Sequence, residues 1–237
     1  MRAMRFAAID TSTEWCSLAL WLDGEIAARE VLAGHRHGEL ALPMLGRLLA
    51  DAGVSIERLD AVAFGAGPGS FTGLRIACGI AQGIALAAGI PVIGIPTLEA
   101  IAEESGAARV VACLDARMRE VYYCALEREP ESGAESVRPW RATIEPQCVA
   151  PGMAPKPSGG GWLGCGSGFS AYPDALVQAL GDALMRTEPN ARPSAIAVAR
   201  LAAPRLSAGL GLDPALATPF YVRDKVALTV QERERGT

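Results

Sequence analysis

Apolar positions along the first half of the chain switch between compact runs and helical spacings in a regular order. Residues 6–10 form an apolar run closed by Thr11, Ser12 and Thr13. A second run covers 16–22, and Asp23-Gly24 supplies a two-residue turn into a third over 25–31, which predicts a β-meander. Over 39–52 the apolar residues Leu40, Met44, Leu45, Leu48 and Leu49 fall at helical spacing. Gly53 then stands where a helix end favours glycine, and Pro43 falls in the first turn, where proline is tolerated. Residues 61–65 predict a buried strand, 71–88 a long helix rich in small residues, 91–95 another strand, and a helix starts at Thr97. In the long helix Ile76, Ile80 and Ile84 recur every four residues and are expected to face the sheet, while Gly79 and Gly83 form a separate ridge.

The order βββαβαβα is that of a ribonuclease-H-like half-domain, the unit from which the actin-like (ASKHA) fold is built. A coarser second copy begins near Arg109, with strands over 110–115 and 121–126. Residues 129–161 are rich in Pro, Gly, Ser and Glu and predict loops around one or two weak strands. A strand resumes at 162–165, and helices are expected at 172–180 and 194–203, the latter stopped by Pro204. The fold class is therefore α/β, actin-like, with two similar mixed-sheet half-domains divided as 1–106 and 107–237.

Composition narrows the function classes. The chain has 237 residues, half of them hydrophobic and 20% charged, enough for a sizeable core without disulfide or metal staples. Its six cysteines are widely spaced with no CxxC pair, as expected of reduced, mostly buried thiols. A net charge of −4 does not suit a protein that grips RNA phosphates by itself. The stretch 76–90 is short of the ~20 apolar residues of a membrane span and holds Gln82 and three glycines, so a buried helix is expected and no membrane role. The N-terminus shows no signal-peptide pattern, which predicts a cytoplasmic protein.

Several segments carry candidate chemistry. Asp10, Thr11 and Ser12 place a carboxylate and two hydroxyls at the first strand turn, either facing a phosphate or closing a hydrogen-bonded turn. The loop 65–73, with Gly67, Gly69 and Ser70, precedes a helix and could offer backbone N–H groups to an anion. It has neither a Walker lysine, the only lysines being Lys156 and Lys225, nor a GxGxxG register; the other reading is a tight strand-to-helix turn. His35, His37 and Glu39 share one face of an extended segment, but two histidines in a solvated loop fall short of a catalytic metal site. No GxSxG serine elbow occurs around Ser70 or Ser167. Asp115, Arg117, Arg119 and Glu120 between two strands either line a cleft or form a charged hairpin.

Taken together, Asp10-Thr11-Ser12, the run from Gly67 to Arg75, Asp115-Ala116-Arg117 and the C-terminal PFYVRDKVA segment resemble the TsaB (YeaZ) family, over nearly the whole chain. The resemblance implies a partner of the TsaD-type catalytic subunit, working with a TsaE-type ATPase. Together these transfer threonylcarbamoyl from its adenylate to the adenosine beside the tRNA anticodon. The catalytic paralogue carries an HxxxH metal motif where this chain has Thr97 and Ile101, so no catalytic residues, metal or cofactor are expected here. A nucleotide held at an interface shared within the complex stays open. Resemblance also implies a homodimer when the chain is alone, only indirect contact with tRNA, and a partner-binding first half. The candidate interface residues are Leu40, Met44, Leu45, Leu48, Gly79 and Gly83, because two helix glycines four apart favour close backbone approach. The competing readings are an autonomous actin-like small-molecule kinase or ATPase, which would need a second glycine-rich loop that only 164–168 approximates, and a metallopeptidase, which lacks its ligands.

Overall fold

The computed structural model describes residues 4–129 and 140–223. Residues 130–139 of the Pro/Gly-rich stretch, and Lys225 with the end of the C-terminal motif, lie outside the described residues. Strands β1 (Arg5–Asp10), β2 (Trp15–Leu22), β3 (Glu25–Leu32), β4 (Ala61–Gly67) and β5 (Val92–Pro96) form one sheet in the order β3-β2-β1-β4-β5. Strands β6 (Arg109–Asp115), β7 (Val121–Arg128), β8 (Trp140–Val149), β9 (Trp162–Cys165) and β10 (Leu184–Glu188) form a second, in the order β10-β9-β6-β7-β8. Read from its other edge, the second sheet follows the same path. In both, the two meander pairings are antiparallel and the remaining two are parallel. This repeated mixed sheet is the actin-like, ribonuclease-H-like α/β fold.

Helices α1 (His37–Asp51) and α2 (Phe71–Ala88) cover one face of the first sheet. The other face is covered by α6 (Ala195–Ser207), which returns from the far end of the chain. Strand β1 is buried on both sides: Ala7 and Ile9 point into the α1/α2 core, Phe6 and Ala8 into the α6 core. That explains why it reads as a continuous apolar run and not as an alternation. Helix α3 (Thr97–Ser105) packs Leu98 and Ile101 on the second sheet, and its buried Glu99 pairs with Arg205 of α6. The outer face of the second sheet carries α4 (Ser167–Ala171) and α5 (Pro173–Leu180).

Two expectations are corrected by the packing. Pro204 does not stop the last helix, which continues to Ser207. The donor that Pro204 lacks would have served the carbonyl of Arg200, an exposed residue, so water can take its place. In α2 the sheet-facing set is Leu74, Ala77, Cys78, Ala81, Ile84 and Ala85, whereas Ile76 and Ile80 are only half-buried. Each step of four residues rotates the helix by about 40°, so Ile76, Ile80 and Ile84 sweep from the open side to the sheet. By length and composition alone α2 is long and apolar enough to cross a membrane; in the fold it lies on the first sheet.

Candidate functional site

The turn after β1 and the loop before α2 are locked onto each other. Ser70 donates its backbone N–H to the Ser12 carbonyl at 2.8 Å, and the Thr11 hydroxyl donates to the Gly73 carbonyl at 2.7 Å. A Cβ on Gly69 would sit 2.6 Å from the Ser12 carbonyl oxygen, and one on Gly73 would overlap the Thr11 carbonyl, so these glycines exist to let the backbones touch. Gly67 donates to the Thr97 hydroxyl at 3.1 Å, and its φ of 121° lies in the region glycine favours. Ser70 caps α2 by accepting from Gly73. The hydroxyls of Thr11, Ser12 and Ser70 and the N–H groups of Ser12, Gly67, Ser70 and Gly73 are all engaged within the fold, and Asp10, Thr11 and Ser12 are essentially inaccessible. The glycines at 164–168 are closed in the same way, since side chains at Gly166 and Gly168 would run into Cys113.

Asp10 accepts from the Ser12 N–H at 3.0 Å and the Ser12 hydroxyl at 2.8 Å through Oδ1, while Oδ2 has no partner. Burial pushes its pKa up from 3.8 to about 6, against the opposing pull of the Ser12 hydrogen bonds. Between these two values the folded chain holds a proton that the unfolded chain has released. Stability therefore falls as pH rises through that window and levels off above about 6, by roughly 3 kcal/mol in all. Asp10→Asn is expected to flatten this part of the pH profile; urea midpoints measured from pH 4 to 7 check it, and equal slopes for the two proteins would refute it.

Thr97 and Ile101, at the start and centre of α3, are fully buried. No group of three or more His, Cys, Asp or Glu side chains suited to a metal occurs among the described residues. His37 is not the solvated loop residue its neighbours suggest: it is 4% exposed at the start of α1, and burial lowers its pKa. His35 stays exposed, so the two imidazoles do not share an environment.

The segment 115–121 is a hairpin between β6 and β7, with Asp115 accepting from the Arg117 N–H at 2.9 Å. Arg117, Met118 and Arg119 all take positive φ. The segment is thus a charged hairpin, and the small crevice where Tyr122 and Arg223 meet Pro68, Phe71 and Leu74 is lined by none of its residues.

The α1/α2 surface differs from the expected one in its members. Gly79 and Gly83 are exposed, with nothing within 4 Å of a Cβ built on either. Leu40 and Met44 are half-buried beside Ile80. Leu45 and Leu48 are 2% and 4% exposed and belong to the core beneath α1, so they offer a partner nothing. Leu42 and Leu86, 53% and 60% exposed, are apolar side chains that the two helices leave open; the sequence reading missed them because spacing marks a stripe without telling which side is up.

Known proteins share this architecture and align with most of this sequence. The family profile described as "TsaD: tRNA N6-adenosine threonylcarbamoyltransferase" matches residues 30–228. The tRNA threonylcarbamoyladenosine biosynthesis protein TsaB of Escherichia coli is 39% identical over 94% of this chain and 96% of its own length. The chain belongs to the TsaB (YeaZ) family. The TsaB of Haemophilus influenzae is 43% identical over 65% of this chain and 67% of its own length. The solved structure of YeaZ from Pseudomonas aeruginosa superimposes with a TM-score of 0.82 at 33% identity, covering 92% of this chain and 99% of that one.

Proposed function

We propose that this TsaB-family chain takes part in threonylcarbamoyladenosine biosynthesis in the cytoplasm as a non-catalytic subunit. It pairs with a TsaD-type enzyme, and with a TsaE-type ATPase, for transfer of threonylcarbamoyl to the adenosine beside the tRNA anticodon. The observation that carries the reading is the closure of the turn against the loop, with Thr11, Ser12, Ser70 and Gly73 bonded to one another. A nucleotide-using enzyme of this fold needs those groups free to receive phosphate, and a metal-dependent one needs ligands at Thr97 and Ile101. Neither the kinase nor the peptidase reading has its chemistry.

The exposed α1/α2 face supports the partner role, and the first half-domain, 1–106, is its platform. Apolar side chains and open glycines on one surface suit helix-on-helix association. Alone, the chain uses the same face to pair with itself. Co-expression with the TsaD-type and TsaE-type proteins of the same organism is expected to give a stable complex. Gly83→Leu, at an exposed position where an added Cβ meets no atom within 4 Å, is expected to dissolve it without lowering the melting temperature. A folded Gly83→Leu variant that still assembles at wild-type strength would remove this face from the proposal.

A further inference from the structure

Three segments meet where the two half-domains adjoin: the start of α2, the hairpin 115–121 and residues 220–223. The last of these is fixed from below. Phe220 donates its N–H to the Ala66 carbonyl at 2.7 Å, and a Cβ on Gly67 would collide with the Phe220 carbonyl. Held there, Tyr221 sets its ring 5.6 Å from that of Phe71. Arg75 lays its guanidinium 3.7 Å over the same Phe71 ring and donates to the Tyr221 hydroxyl at 3.1 Å. Two residues on, Arg223 pairs with Glu120, stands 5.8 Å over the Tyr122 ring and reaches the Met118 sulfur at 3.7 Å. The three segments therefore make one continuous surface.

Its side chains suit contact with something outside the chain. Phe71 is 36% exposed, Phe220 45%, Tyr221 43% and Met118 49%, although such side chains gain most from burial. The crevice among the rings encloses only about 10 Å³, room for little more than a water, so a ligand meets them from outside. Arg117, Met118 and Arg119 hold left-handed backbone, which a merely solvated turn would give to Gly or Asn. Four arginines, Arg75, Arg117, Arg119 and Arg223, stand here against two carboxylates, Asp115 and Glu120. That is an excess of two positive charges on a chain of net charge −4. Arginines beside exposed rings match a ligand that carries phosphates and flat bases together. A duplex hides its bases, and unpaired nucleotides offer both.

We infer that this surface binds unpaired RNA, its exposed rings stacking on bases while Arg117 and Arg119 meet the phosphates. The net charge of the chain does not oppose this, because the arginines are gathered in one place. The inference deepens the proposed part in tRNA modification and rests on it for the choice of RNA over DNA. The test is fluorescence anisotropy on the full chain with a labelled single-stranded RNA oligonucleotide and with the duplex of the same sequence. The single strand is expected to bind at least about tenfold tighter than the duplex, and more weakly as salt rises. Arg117→Glu combined with Arg119→Glu, and separately Tyr221→Ala, are each expected to weaken binding about tenfold. All three positions are exposed, and unchanged melting temperatures confirm intact folds. Arg186→Glu, on the far edge strand β10, is expected to change little. Equal binding of single strand and duplex, an equal loss from Arg186→Glu, or no binding by the wild-type chain overturns the inference. So does an Arg117/Arg119 variant that holds RNA normally but no longer assembles with the TsaD-type subunit, because a protein then occupies the surface. These outcomes leave the partner role standing; a wild-type chain that fails to assemble with the TsaD-type subunit counts against that role and not against RNA binding.

Discussion

Leu45→Asp is expected to leave almost no folded protein, whereas Leu86→Asp folds normally and fails to assemble. Leu45 is 2% exposed and packs with Leu48, Leu49, Ala77 and Ala81 in the core between the two helices and the first sheet. Removing a buried leucine costs roughly 2–5 kcal/mol, and placing a carboxylate there adds several more through desolvation. The sum, more than about 5 kcal/mol, is comparable with the whole stability of an ordinary domain. Leu86 lies on the same pair of helices but is 60% exposed, so an aspartate there keeps its hydration. Circular dichroism melts and light scattering on the two variants separate the cases. A well-folded Leu45→Asp protein would mean that α1 is not anchored as described, and a Leu86→Asp protein that assembles normally would clear this part of the surface.

The contrast between these two leucines also shows what could be read from the chain. The long apolar helix 71–88, the hairpin turn at Asp23-Gly24 and the strand 162–165 were legible because a local signal fixes each of them: a period, a turn pair, a bounded apolar run. Strand β10, with the sequence LMRTE, gave no such signal. It is short, largely open to solvent on its burial pattern, and defined by its parallel pairing with β9. Helix α4 is only five residues long and owes its position to Gly168 packing on Cys113. Among the candidate site residues, the sequence set Gly79 and Gly83 on a ridge of their own, and both are open to solvent. It could not separate Leu45 and Leu48, which face the sheet, from Leu42, which faces outward, because that depends on how the helix is rolled. Asp10, Thr11 and Ser12 were read either as facing a phosphate or as closing a hydrogen-bonded turn; Asp10 does bond locally to Ser12, but the further partners of Thr11 and Ser12 lie some 60 residues along the chain, at Gly73 and Ser70. Such long-range bonds leave no local mark. The same holds for residues 211–217, which are tied to α2 through Cys78 and Gln82 and to β5 through Val92.

Threonylcarbamoyl transfer is expected to be all-or-none with respect to this chain. On the proposed reading the turn and loop are bonded to each other and Thr97 and Ile101 are buried side chains that offer a metal no imidazole, so the contribution of this chain would pass through contact with a TsaD-type subunit. The measurement is a reconstituted assay containing the TsaD-type and TsaE-type proteins, threonylcarbamoyl-adenylate and tRNA, scored by mass spectrometry of the digested nucleosides. The complete mixture is expected to give modified adenosine, the mixture without this chain essentially none, and the Gly83→Leu variant no more than the omission. Modified adenosine formed from threonylcarbamoyl-adenylate and tRNA by this chain without the other two proteins, or unchanged yield when the chain is left out, would contradict its role as a required and non-catalytic partner.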